Sequence, residues 1–159
     1  MCSSDLIGVR SAAAIATFLG FYFNLIFDNV VMITANTPSE VFESLLRVGE
    51  EDVIIGVSFP RYSSRAVQAV SFARDRGATT IAITDSEASP LAQISKYTLK
   101  ARSDMASFAD SMVAAFSLVN ALIVAIGSRK KDEISQYFTK LEAVWDEYSV
   151  YLGKDRNAN

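Results

Sequence analysis

Ser58, Arg61, Ser63 and Ser64 stand close together, between an unbroken apolar run at 53–57 and a stretch from 63 onward with the apolar spacing of a helix. A buried strand that ends in hydroxyls and an arginine and then turns into a helix is a place for an anion, phosphate above all. The first backbone N–H groups of the helix have no partner inside it, the positive end of its dipole faces the same point, and serine hydroxyls add neutral donors. Two other segments carry a similar mix: Gly8-Val9-Arg10-Ser11 follows one apolar run, and Thr84-Asp85-Ser86-Glu87-Ala88-Ser89 follows another. Serine and threonine hydrogen-bond both phosphate oxygens and sugar hydroxyls, while Arg10 or Arg61 can grip an oxyanion through two parallel bonds. Asp85 would repel phosphate, so Thr84 and Ser86 suit the hydroxyls of a sugar. Serine is also the ordinary helix cap and turn residue; a capping serine at an anion site can serve backbone and ligand together.

The chain of 159 residues has no histidine. That excludes Ser-His-Asp triads and imidazole proton shuttles, leaving Glu, Asp, Lys, Tyr or Cys2 for any acid–base step. Its one cysteine, Cys2, cannot form an internal disulfide, and no Cys or His cluster has zinc-ligand spacing. A cytoplasmic setting without metal or cofactor is the expectation. A formal charge of −3 argues against a direct grip on nucleic acid, whose phosphates call for a basic surface.

The elements that must position these residues alternate along the chain. Strand-length apolar runs at 6–9, 30–34, 53–58, 80–84 and 97–101 alternate with helical stretches at 11–27, 39–48, 63–76 and 90–95. This rhythm predicts an α/β fold with a five-stranded parallel sheet and helices on both faces, and the unbroken hydrophobicity of 53–57 fits a strand buried on both sides. Ligands bind such sheets beyond the carboxyl ends of the strands, where all three hydroxyl-bearing segments fall. A nearly all-apolar helix is expected over 107–126 and a last amphipathic helix ending near 152, with a frayed tail at 153–159. The stretches 12–27 and 112–127 approach membrane-span length, but Asn24, Ser117 and Asn120 interrupt them, so they are expected to be buried helices of the α/β core. Trp145, Tyr148 and Tyr151 share one face of the last helix, a stripe suited to docking on the domain or on a second subunit. Only Leu6 and Ile7 follow the polar start 1–5, which suggests a chain cut within or just before its first strand.

Together these segments resemble the SIS (sugar isomerase) domain, in the version carried by RpiR-type bacterial transcriptional regulators. The resemblance spans residues 1–152. It rests on Gly8-Val9-Arg10-Ser11, on Val57-Ser58-Phe59-Pro60-Arg61-Tyr62-Ser63, and on Ile83-Thr84-Asp85-Ser86 with Ser89-Pro90-Leu91-Ala92. It implies a flavodoxin-like sheet, a homodimer, and a phosphorylated sugar bound across these loops, with Ser11, Ser58 and Ser63 at the phosphate-contacting positions. Many relatives have a second serine after the position of Ser11; this chain has Ala12. Such regulators contact DNA through an N-terminal helix-turn-helix, and none is legible here.

The first expectation is therefore a non-catalytic effector-sensing domain: Ser11, Ser58 and Ser63 hold phosphate, Arg61 adds charge, and Thr84 and Ser86 meet sugar hydroxyls. An aldose–ketose isomerase is the alternative. It needs a positioned base, for which Asp85 and Glu87 are the nearby candidates. A scaffold with a vestigial pocket is the third reading.

Overall fold

The computed structural model describes residues 3–34, 37–103 and 111–151. Five strands, β1 (Ser4–Gly8), β2 (Val30–Ile33), β3 (Val53–Val57), β4 (Thr79–Thr84) and β5 (Tyr97–Lys100), form one parallel sheet in the order β2-β1-β3-β4-β5. Between them run α1 (Ser11–Ile26), α2 (Pro38–Ser44), α3 (Ser64–Arg74) and α4 (Pro90–Ile94), and α5 (Val113–Arg129) and α6 (Lys131–Glu147) follow. The α/β architecture expected from the alternation is what the chain adopts. Cys2, residues 107–110 of the expected fifth helix, and the stretch 152–159 lie outside the described residues.

Local chemistry explains the helix starts. Ser63 and Ser89 accept N–H bonds from Ala66 and Ala92, and Thr37 with Glu40 closes a reciprocal capping box. The core forms two layers because the central strands β1, β3 and β4 are covered on both sides. Leu6, Ile55 and Ile83 of the sheet cluster with Ile15 and Leu19 of α1 and Val119 of α5; Ile7, Ile54 and Ala82 cluster with Val41 of α2, Val70 of α3 and Leu91 of α4. Gly56 lies in that second layer, where an added Cβ would sit 2.7 Å from Val70 Cγ2 and 3.1 Å from Leu91 Cδ1. Gly56→Ala is therefore expected to destabilise the domain by about 1–3 kcal/mol through overpacking, read as a fall in the denaturant midpoint.

β1 begins earlier than the apolar pattern indicates, because a strand residue there is a buried acid. Asp5 is 3 % exposed and accepts a 2.9 Å hydrogen bond from Ser3 Oγ. Burial holds its carboxyl above the ordinary value of 3.8. Desolvation also pushes neighbouring Asp52 upward, but the backbone N–H groups of Ser3 and Gly49, at 2.6 and 2.8 Å, outweigh it and hold that carboxyl below its ordinary value. A carboxyl raised on folding favours the native state fully only below its unfolded value, and that contribution is lost as pH rises through the folded value. Asp52 acts in the opposite sense, and its contribution is lost as pH falls through its lowered value. Asp5→Asn should thus melt above the parent at pH 7, with the gap closing as pH falls towards 3.8, in paired thermal scans.

No single helix among the described residues is long and apolar enough to cross a membrane; α5 and α6 meet the criterion only as a pair bent by 96°.

Candidate functional site

Strand order reverses between β1 and β3: the chain leaves β1 towards one edge of the sheet and β3 towards the other. α1 packs on one face and α3 on the opposite face, so the loops after β1 and β3 separate and leave a crevice. A cleft of about 750 Å³ occupies that point, lined by residues 9–12 and 58–65. Ser11, Ser58, Arg61 and Ser63, four residues singled out from the sequence, all line it.

Gly8 makes the first wall. An added Cβ there would lie 2.5 Å from the carbonyl oxygen of Ala12, so only glycine lets the strand end this close to the first turn of α1. No side chain caps that helix: Arg10 occupies the cap position without a capping bond. In the second wall Ser58 is 3 % exposed, its N–H bonds Ile83 O at 3.1 Å, and its Oγ accepts the Ser63 N–H at 3.1 Å. Ser58 thus folds the turn back so that the α3 start faces the cleft, while its hydroxyl keeps a proton that an oxyanion can accept. Arg10 and Arg61 both have left-handed backbone, at φ 59° and 65°. For residues with a Cβ this costs on the order of 1 kcal/mol or more, and such strain gathers at ligand-binding turns.

Thr84 and Ser86, expected at the site from the sequence, are not part of this lining. Thr84 is fully buried and donates its hydroxyl to Asp85 Oδ1 at 3.2 Å; Ser86 Oγ accepts the Ala88 N–H at 3.2 Å. Tyr62, which does line the cleft, donates to Asp85 Oδ1 and Oδ2 at 2.9 and 3.2 Å and so ties the β3–α3 turn to the β4–α4 turn. Burial, and then the Asp85 carboxylate, hold the Tyr62 hydroxyl above its usual range. Glu87 pairs with Lys100 at 2.9 Å. Sequence reasoning passed over Tyr62 and Arg65; their signal was position alone, on either side of the Ser63-Ser64 helix start.

The cleft at the strand-order reversal has the position at which open parallel α/β sheets hold ligands, beyond the carboxyl ends of their strands. The SIS domain family matches residues 3–125, and the chain belongs to that family. The sugar isomerase domain of an RpiR transcription factor from Sphaerobacter thermophilus superposes with a TM-score of 0.80 at 29% identity, covering 89% of this chain and 78% of the other. The Vibrio vulnificus NanR protein complexed with ManNAc-6P matches with a TM-score of 0.76 over 96% of this chain and 57% of that one; at 19% identity it speaks for the fold. An uncharacterized HTH-type transcriptional regulator from Caldanaerobacter subterraneus subsp. tengcongensis is 24% identical in an alignment of 144 positions that covers 88% of this chain. The chain spans about half the length of that curated relative. The resemblance to RpiR-type regulators read from the sequence is therefore met by the relatives.

Proposed function

We propose that this chain is the phosphosugar-sensing domain of a transcriptional regulator, binding its ligand without turning it over. The observation that carries the reading is the composition of the cleft: Ser11, Ser58, Ser63 and Arg61 converge at the strand-order reversal, and no carboxylate is among the described residues that line it. Ser11, Ser58 and Ser63 hold the phosphate and Arg61 adds charge. Thr84 and Ser86 serve the sugar through the turn that Asp85 and Tyr62 brace. The two candidate bases for an isomerase are engaged elsewhere, Asp85 by Tyr62 and Thr84, Glu87 by Lys100. This supports sensing over isomerisation. Incubation with several aldose and ketose phosphates in D₂O, followed by proton NMR, tests it: bound ligand with no carbon-bound deuterium is expected, and sustained exchange would make the chain an isomerase.

The effector then acts on DNA through a helix-turn-helix domain elsewhere in a longer cytoplasmic protein, by favouring one arrangement of a homodimer. Support for the dimer comes from α6, which has no buried residue although Ile134, Phe138, Leu141 and Trp145 follow helical spacing on one face. Its first turns border an apolar groove of about 800 Å³ with Tyr22, Ile26, Ile123 and Val124. The rest of the stripe runs past that groove, with Tyr148 71 % exposed. A second copy about a two-fold axis brings each projecting stripe over the other's groove, an isologous arrangement.

A further inference from the structure

The main cleft does not end at Arg10 and Arg65. The same two side chains, with Val9, also line a second cavity of about 200 Å³, which reaches towards β2 and α2 past Thr17, Thr34 and Ile33. Ser11, Ser58, Arg61 and Ser63 line only the larger cavity. Around the two together, the described residues supply three guanidinium groups and no carboxylate, on a chain whose net charge is −3. A concave surface of one sign with low-dielectric walls concentrates ligands of the other sign. Arg10 comes from the start of α1 and Arg65 from the first turn of α3, so an anion between them is met from opposite faces of the sheet.

Resting on the phosphosugar reading above, we infer that the ligand carries a second anionic group, a carboxylate or another phosphate, seated at the border between the two cavities while the first phosphate sits in the larger one. The first phosphate lies with Ser11, Ser58 and Ser63 in the larger cavity. The second anion lies at the border between the cavities, where Arg10 and Arg65 can each present a planar fork of donors to it. A cavity of about 200 Å³ beyond that border holds the few atoms that carry this group, with Thr17 and Thr34 as hydroxyl partners.

Titration calorimetry of the full chain with 6-phosphogluconate and with sorbitol 6-phosphate tests this directly. Both are six-carbon open chains with a terminal phosphate; only the first has a carboxylate at the far end. At low salt the parent is expected to bind 6-phosphogluconate at least tenfold more tightly. In Arg10→Gln/Arg65→Gln that preference should fall below twofold, and Arg65→Gln alone gives a second reading of the ratio; circular-dichroism melts establish that each variant is folded. Equal affinities in the parent, or a preference that survives in the folded double variant, would overturn the inference while leaving the phosphosugar site standing. If neither compound nor any other phosphosugar binds, the phosphosugar reading itself falls, and this inference with it.

Discussion

Ser58→Ala is expected to weaken phosphosugar binding about tenfold to a hundredfold, measured by calorimetry against the parent. Two losses add. The hydroxyl that would donate to the phosphate disappears, and a hydrogen bond to a charged group is worth about 1.5–3 kcal/mol. The Ser63 N–H also loses its acceptor, so the turn that aims the α3 start at the cleft is no longer held from inside. Ser63→Ala is the informative companion, because it removes a helix cap at the 3.4 Å bond to Ala66 N while leaving Ser58 in place. It should lower stability by about 1 kcal/mol as well as affinity. Unchanged binding in a folded Ser58 variant would remove the phosphate from this turn.

The second large effect concerns assembly. In sedimentation at micromolar concentration the parent should run as a dimer, and Val124→Asp/Phe138→Asp as a folded monomer. Both residues line the apolar groove that α6 borders; Val124 is 66 % exposed in the single chain and Phe138 is half-buried, so circular-dichroism melts are used to establish that the variant is folded. Buried at an interface of two copies, the same charge is desolvated without a partner; two such sites should raise the dissociation constant at least hundredfold, which is about 2.7 kcal/mol. A parent that is monomeric, or a double variant that still dimerises, would leave the α6 stripe without its proposed partner.

Much of this molecule is legible in its sequence, for reasons that differ from place to place. The strand at 53–57 announces itself because burial on both faces demands an unbroken apolar run, and the helix starts at Ser63 and Ser89 are written in the chemistry of caps. Ser11, Ser58, Arg61 and Ser63 could be assembled on paper because ligands gather beyond parallel strand ends, and they do share a cleft. Other features are set by tertiary context. Ser4 and Asp5 are polar and yet belong to β1, since a hydroxyl and a protected setting satisfy the buried carboxyl. Thr84 and Ser86 look like cleft residues by position but are not part of its lining, and the Tyr62–Asp85 bond that ties the two turns joins residues 23 apart, a contact that no local pattern encodes. The left-handed backbone of Arg10 and Arg61 is equally invisible, because arginine has no preference for it. The second helix, expected over 39–48, stops at Ser44, where Leu45 and Val48 turn into the core instead of continuing the helix.

The central claim is that phosphosugars bind where strand order reverses. Amide chemical shifts of the labelled chain, followed during titration with a sugar phosphate, test it most directly. Saturable shifts are expected, centred on residues 9–12 and 58–65, with smaller ones at Thr84 to Ser86 relayed through Tyr62 and Asp85. Saturable shifts centred elsewhere, or none at millimolar ligand, would contradict it.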